Sequence, residues 1–246
     1  VTEDFSKSKE VKLDDPASVK DDVISILKLN LVKKFNTGIY PYSLMTSVFS
    51  PVNGGHALKT TASAQEWCGQ TFTQLNIQGD YYRLQLHSYF ESEGEKDTII
   101  QSTWLEDEFW TQIRLDPKKL PVGEISVFPG MLSQRLRHSE PKSVHATTTL
   151  RDADSSEVKR FNETGNVSVF TVNYKEENRS LSVYFEAVFP YKIAGWEETY
   201  IDGFGDKKKM LTTRAIRNKT MNIDYWKHNS EADTLLRDSL GLIRYH

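Results

Sequence analysis

The chain has 246 residues, 38% of them hydrophobic and 26% charged, with 31 basic and 34 acidic side chains. That apolar content suffices for a packed core and excludes disorder, and the near-balance of charge excludes a sequence-wide pull toward nucleic acid or anionic membrane. No apolar run approaches the roughly 18–20 residues that span a bilayer.

The segment before Val23 is polar, carries Asp14, Asp15 and Pro16, and reads as a loop or a leading edge. Val23–Val32 then alternates, with Val23, Leu27, Leu29 and Leu31 on one face and Lys28 and Asn30 on the other, which predicts a strand. Tyr42–Phe49 is a second strand, stopped by Pro51 and the turn Asn53-Gly54-Gly55, so Leu58–Glu66 is expected to return antiparallel to it. Thr71–Ile77 and Tyr81–Phe90 make the next pair around Gln78-Gly79-Asp80. Here Tyr82, Leu84, Leu86 and Phe90 share one parity against Arg83, Gln85 and His87.

Trp104–Leu115 breaks the rhythm. Leu105, Phe109 and Ile113 recur every four residues behind Glu106, Asp107 and Glu108, which predicts a short amphipathic helix with Thr103 as its cap. Strands resume at Glu124–Phe128, Leu132–His138 and Val144–Leu150, where Val144, Ala146, Thr148 and Leu150 share a face. Val167–Tyr174, Leu181–Phe189, Lys192–Ile201 and Lys209–Arg217 follow. Ser230-Glu231-Ala232-Asp233 is a capping box for a last helix through Leu240, ended by Gly241. There is no internal repeat or low-complexity linker. About eleven strands in one antiparallel sheet would leave long edges unless the sheet curls. The expectation is a single all-β domain over residues 1–246: one strongly curved antiparallel sheet or incomplete barrel, with two short helices at a mouth or in the concavity.

The candidate chemistry is sparse. Glu106, Asp107 and Glu108 beside Trp104 and Trp110 have the composition of a sugar site, but adjacent helical positions point roughly 100° apart, and complementing the helix dipole is the simpler reading. The cluster Gln65-Glu66-Trp67-Cys68-Gly69 holds the single cysteine, so no intramolecular disulfide forms. Cys68 is a candidate nucleophile, but a small buried apolar side chain is the simpler reading, with Trp67 on the opposite face of a strand. Such a thiol would react slowly in the folded protein. His56, His87, His138, His145, His228 and His246 form no H-E-x-x-H pattern, and a meeting of His138 with His145 lacks a third ligand, so no metal, cofactor or catalytic residue is assigned. Gly203-Phe204-Gly205-Asp206 with Lys207-Lys208-Lys209 reads as a solvated turn, and the sequons at Asn162, Asn166, Asn178 and Asn218 as coincidence.

Aromatic residues make up 11% of the chain. Tyr40, Tyr42 and Trp67, with Tyr82, Trp104, Trp110, Tyr184 and Trp196, either fill the core or line a concave apolar face, and the last five are the candidate ligand-binding set.

Three segments carry a family likeness: Phe35–Val52 (FNTGIYPYSLMTSVFSPV), Ser63–Phe72 (SAQEWCGQTF) and Trp104–Gly123 (WLEDEFWTQIRLDPKKLPVG). They resemble an uncharacterised family of bacterial envelope proteins, some of whose members are labelled septum formation inhibitor. That label belongs to α/β nucleotide pyrophosphatases with a Ser-Arg or Pro-Arg-Arg motif near the N-terminus, whereas this chain has no Pro-Arg-Arg run and an antiparallel strand pattern. The resemblance brings no site residues. It implies an exported protein, periplasmic or associated with the outer envelope, held to membrane only through a lipid anchor preceding Val1. The functions to weigh are a non-enzymatic envelope protein binding an apolar, lipid-like ligand or a protein partner on a curved sheet, a glycan hydrolase using Glu66, Glu91, Glu106 and Glu108, and a scaffolding protein with a flat apolar patch. No nucleic-acid partner is expected.

Overall fold

The computed structural model describes residues 1–203 and 205–242; Phe204 and His246 lie outside them. The protein is mostly β, with 48% of residues in strands and 19% helical. Its strands form two seven-stranded sheets, not one strongly curled sheet or partial barrel.

The first sheet runs in chain order through β1 (Thr2–Ser6), β2 (Val23–Thr37), β3 (Tyr40–Pro51), β4 (Lys59–Glu66), β5 (Gly69–Gln78), β6 (Tyr81–Ser88) and β7 (Lys96–Gln101), each antiparallel to the next. The second comprises β8 (Trp104–Leu105), β9 (Gly123–Phe128), β10 (Val144–Asp152), β11 (Val167–Tyr174), β12 (Arg179–Glu186), β13 (Ile193–Asp202) and β14 (Lys209–Ile216). All its pairs are antiparallel except β8 with β9. Among the described residues the α-helices are α1 (Glu106–Leu115), α2 (Met131–Arg137), α3 (Ser155–Arg160) and α4 (Leu235–Ser239).

Both hairpins predicted around Asn53-Gly54-Gly55 and Gly79 form with the expected partners: Tyr42 opposes Glu66, and Ile77 opposes Tyr82. Gly79 takes a φ of +63°, a left-handed conformation that costs glycine little. The segment before Val23 contributes the edge strand β1, whose Phe5 is buried. At the other edge, β7 carries Lys96 and Asp97 and has no clean alternation, which hid it in the sequence.

Of the three helices that interrupt the strands, α1 and α2 lie between the sheets. One core cluster joins Leu44, Val48, Leu75, Tyr82 and Leu84 of the first sheet to Phe128, Met131 and Leu132 around α2. The other joins Phe109, Trp110 and Ile113 of α1 to Phe170, Val172, Leu181, Val183 and Phe185 of the second sheet. Leu29 packs against both. On the far face of the second sheet, α3 covers Val167, Val169, Tyr184 and Ala194 through Phe161.

This layering explains why one sheet gives way to two. A helix buried on both sides needs two apolar surfaces, and splitting the strands supplies them. Every residue of α1 from Glu106 to Ile113 is buried, so the helix is enclosed all round where the sequence predicts a single apolar face. Thr103 does not cap it. Its hydroxyl donates to Ser126 O, and Glu108 Oε1 accepts the Leu105 N–H instead.

Leu132–His138 is helix rather than strand. The run Met131-Leu132-Ser133-Gln134-Arg135-Leu136-Arg137 fits either period over so short a span, and an Asp107 carboxylate accepting the Met131 N–H settles it as α2. Leu181–Phe189 also ends early, since β12 stops at Glu186 and leaves Val188 and Phe189 exposed. The closing capping box forms, with the Ser230 hydroxyl and N–H both donating to Asp233 ahead of a 3-10 turn and α4. Lys207 and Lys209 are exposed, as a solvated turn requires.

Candidate functional site

The Glu106-Asp107-Glu108 triplet is the polar centre of the molecule. Its three side chains leave α1 in different directions, and each binds a different element. Glu106 turns to the second sheet, where Arg179 Nη1 and Nη2 donate to its two carboxylate oxygens at 2.6 and 2.7 Å. The Tyr174 hydroxyl donates to Glu106 Oε2 at 2.5 Å, and Arg179 Nε reaches Glu198 at 2.8 Å. Asp107 turns to α2 and accepts the Met131 N–H at 3.0 Å. Glu108 turns to the first sheet, accepting the Ala57 N–H at 2.6 Å and bonding His56 Nδ1 at 2.9 Å. Gly130 makes this approach possible, because an added Cβ would stand 2.5 Å from Glu106 Oε1.

The electrostatics follow from burial and partners. Burial alone would raise the pKa of Glu106, but the Arg179 charge and the hydrogen bonds from Arg179 and Tyr174 outweigh it and hold the carboxyl below its ordinary range. Burial opposes the charge on Arg179, and Glu106 and Glu198 more than restore it. Asp107 has no such partner. Burial pushes its pKa up to about 7, offset only in part by the Met131 N–H, and the neighbouring Glu106 adds to the rise. The hydrogen bond to Glu108 raises the pKa of His56.

Beside Asp107 is a small cavity of about 30 Å³, bordered by Lys33, Thr46, Ser133, Arg179 and Trp196. Thr46 Oγ1 is buried without a hydrogen-bond partner. This space is large enough for ordered water and too small for an organic ligand.

The five aromatic candidates are dispersed. Tyr82 is fully buried in the first sheet, its hydroxyl donating to Ala57 O. Trp104 stacks edge-on with His56 and lies near Phe109. Trp110 and Trp196 both border the small cavity, and Lys33 Nζ sits 4.7 Å from the Trp196 ring centre. Tyr184 lies on the far face of the second sheet, stacked on Phe161.

The four candidate carboxylates are likewise separate. Glu66 is tied to Arg135 and the Tyr40 hydroxyl, Glu91 is exposed on the loop before β7, and Glu106 and Glu108 bind the opposite layers already described. Among the described residues no group of three His, Cys, Asp or Glu could hold a metal ion.

A second space lies elsewhere. A cavity of about 300 Å³ opens between the inner face of the first sheet and α2. Leu86, Phe128 and Met131 form its apolar wall, and Glu93, Lys96, Arg135 and His138 its polar one. Arg135 is the organising group. It bridges Glu66 and Glu93, and its guanidinium stacks 4.4 Å from the Phe90 ring centre. Its Nε is buried without a partner. The sequence does not reveal this cavity, because the α2 run fits a strand as well as a helix and a cavity between a helix and a sheet leaves no periodic signal.

Cys68 is exposed, contrary to expectation, and so is Trp67, at 64%. The two residues are not in a strand. They form the turn between β4 and β5, so the alternation argument does not apply to them. The thiol should therefore react with a dithio reagent in the folded protein nearly as fast as in the unfolded chain. Stopped-flow labelling with and without denaturant checks this, and strong native protection would contradict the turn.

Neither protein-family models, nor curated proteins, nor solved structures give a significant match to this chain.

Proposed function

We propose that this is a non-catalytic binding protein of the bacterial envelope, exported as its family resemblance implies, and that its ligand occupies the cavity between the first sheet and α2. The observation that carries the reading is the divided lining: Leu86, Phe128 and Met131 face Arg135 and Lys96 across about 300 Å³. That volume is at the lower end of small-molecule sites, and an apolar wall with a few convergent polar groups is their usual make-up. Glu66 and Glu93 already balance the Arg135 charge, so the unpartnered Nε favours a neutral acceptor such as an ester or amide carbonyl over a second carboxylate. The ligand class is a compact apolar body with an uncharged polar head, as in an acyl ester.

Thr73 borders the same cavity from β5 and is only half-buried, so Thr73→Phe should fill the space without opening the core. Wild-type protein purified from its own host should retain a small molecule in native mass spectrometry and bind N-phenyl-1-naphthylamine. Thr73→Phe should weaken dye binding at least tenfold with an unchanged melting temperature. Equal dye binding by the variant, or a wild type that binds neither, would reject the site.

A further inference from the structure

The β2–β3, β4–β5 and β6–β7 connections lie at one end of the first sheet, because Thr37 opposes Tyr40, Glu66 opposes Gly69 and Thr71 opposes Ser88. Each of the three carries a large apolar side chain held out in solvent. Ile39 is 85% exposed, Trp67 64% and Tyr89 73%. At the opposite end of the same sheet, the two short connections turn on Asn53-Gly54-Gly55 and Gly79-Asp80, the small polar residues that turns normally use, beside the longer connection from β1 to β2. Three neighbouring tips that each hold out a large side chain form a patch, whereas the exposed apolar residues of the opposite end are the smaller Val11, Val19 and Val52.

Behind the tips lies a chain of packed rings. Phe35 stacks on Tyr42 at 4.7 Å, Tyr42 meets Tyr40 at 5.1 Å, and Tyr40 meets Trp67 at 5.6 Å. The Tyr40 hydroxyl donates to Glu66 and accepts the Cys68 N–H, which holds the Trp67 turn in place. Packing of Tyr89 against Gly69 fixes the third tip, since a Cβ on Gly69 would meet that ring at 2.7 Å.

From these observations we infer that this end of the first sheet docks on a lipid surface, with Ile39, Trp67 and Tyr89 entering the interfacial layer. Tryptophan and tyrosine are the side chains that favour that layer, each with an apolar body and a polar handle, and an aliphatic tip gains from going deeper. The local charge selects the lipid. Lys34 is exposed beside Trp67, but Glu91, Glu93 and Glu95 sit on the third connection, and Arg135, His138 and His87 are paired with Glu66, Glu93 and Glu95, so among the described residues no basic cluster gathers here to attract anionic headgroups. A zwitterionic surface is the match. A second copy of this chain is the weaker match, because three tips and the partly covered rings behind them expose only a few hundred Å², short of the roughly 800 Å² per partner of a stable interface.

The test is flotation of the full chain with phosphatidylcholine vesicles, with bimane-labelled Cys68 as a reporter beside Trp67. The expected result is flotation with a blue-shifted bimane emission. Ile39→Ser with Trp67→Ser should weaken vesicle binding about tenfold or more. Ile99→Ser, which removes an equally exposed residue from β7, should leave it unchanged. Circular dichroism and the melting temperature of each variant confirm that the fold is intact. Absence of flotation, binding restricted to phosphatidylglycerol vesicles, or a soluble dimer that the double substitution disrupts would each overturn the inference. None of these outcomes depends on the cavity beneath α2, whose dye-binding test stands separately.

Discussion

Arg179→Met should be the most damaging conservative-sized substitution in this protein, costing about 3–5 kcal/mol in urea denaturation. Arg179 is fully enclosed and supplies two donors to Glu106 and one to Glu198. Its removal strands a carboxylate between two sheets with only the uncharged Tyr174 hydroxyl and Gly130 N–H left to it. The loss measures an uncompensated buried charge more than the intrinsic worth of the pair. Arg179→Met combined with Glu106→Met should therefore recover most of the stability, since two apolar side chains then replace the ion pair within the same layer. A double-mutant cycle checks the point. If the two losses simply add, Glu106 and Arg179 do not act as a unit and the polar seam joining α1 to the second sheet is misassigned.

The second large effect belongs to Asp107 and depends on pH. Its pKa is about 7 in the folded protein against 3.8 in the unfolded chain. Below pH 4 both states hold the proton, and Asp107 adds no pH dependence. Between about 4 and 7 the folded protein keeps a proton that the unfolded chain releases, so stability falls as pH rises, and it levels off above 7. The full span of that fall is on the order of 4 kcal/mol. Asp107→Asn can still accept the Met131 N–H but cannot ionise. It should match the wild type at pH 4 and exceed it by about 2–4 kcal/mol at pH 8. His56 also loses stability as pH rises, because its raised pKa rewards the protonated form, but it does so in both proteins and cancels in the comparison. Parallel pH slopes for wild type and Asp107→Asn would show that Asp107 ionises freely and is not sealed between the layers.

The triplet shows what sequence order can and cannot convey. Three consecutive acidic residues at a helix start read as dipole complementation, and that reading needs only local structure. The observed roles need three separate elements. Arg179 is more than seventy residues away from Glu106, and Ala57 about fifty from Glu108. No spacing rule connects such positions, because the chain between them forms whole hairpins whose registers are set one at a time. The misreading of α2 has the same origin. A seven-residue run with Leu132 and Leu136 satisfies more than one period, and the deciding contact is a carboxylate on another helix. Cys68 was misplaced for a simpler reason. The strand ends at Glu66, so the alternation that predicts a buried Cys68 stops two residues short of it.

Local pattern was a sound guide where one face of a strand meets the core and the other meets solvent. Alternation in β2 to β6 and in β10 to β14, with turn residues between, determined by itself that this protein is a set of antiparallel hairpins, because a side-chain period of two is a property of the extended backbone alone. How those hairpins associate was decided only in three dimensions. Two sheets form where one was expected because α1 carries buried groups on every side. Its apolar groups pack against Phe170 and its neighbours, while Glu106 and Glu108 reach opposite layers. The cavity against α2 and the three apolar tips are likewise products of assembly. Each collects side chains from connections or elements that adjoin only once the meander is complete, and the free energy that brings them together is burial of surface, which carries no record in the order of the residues.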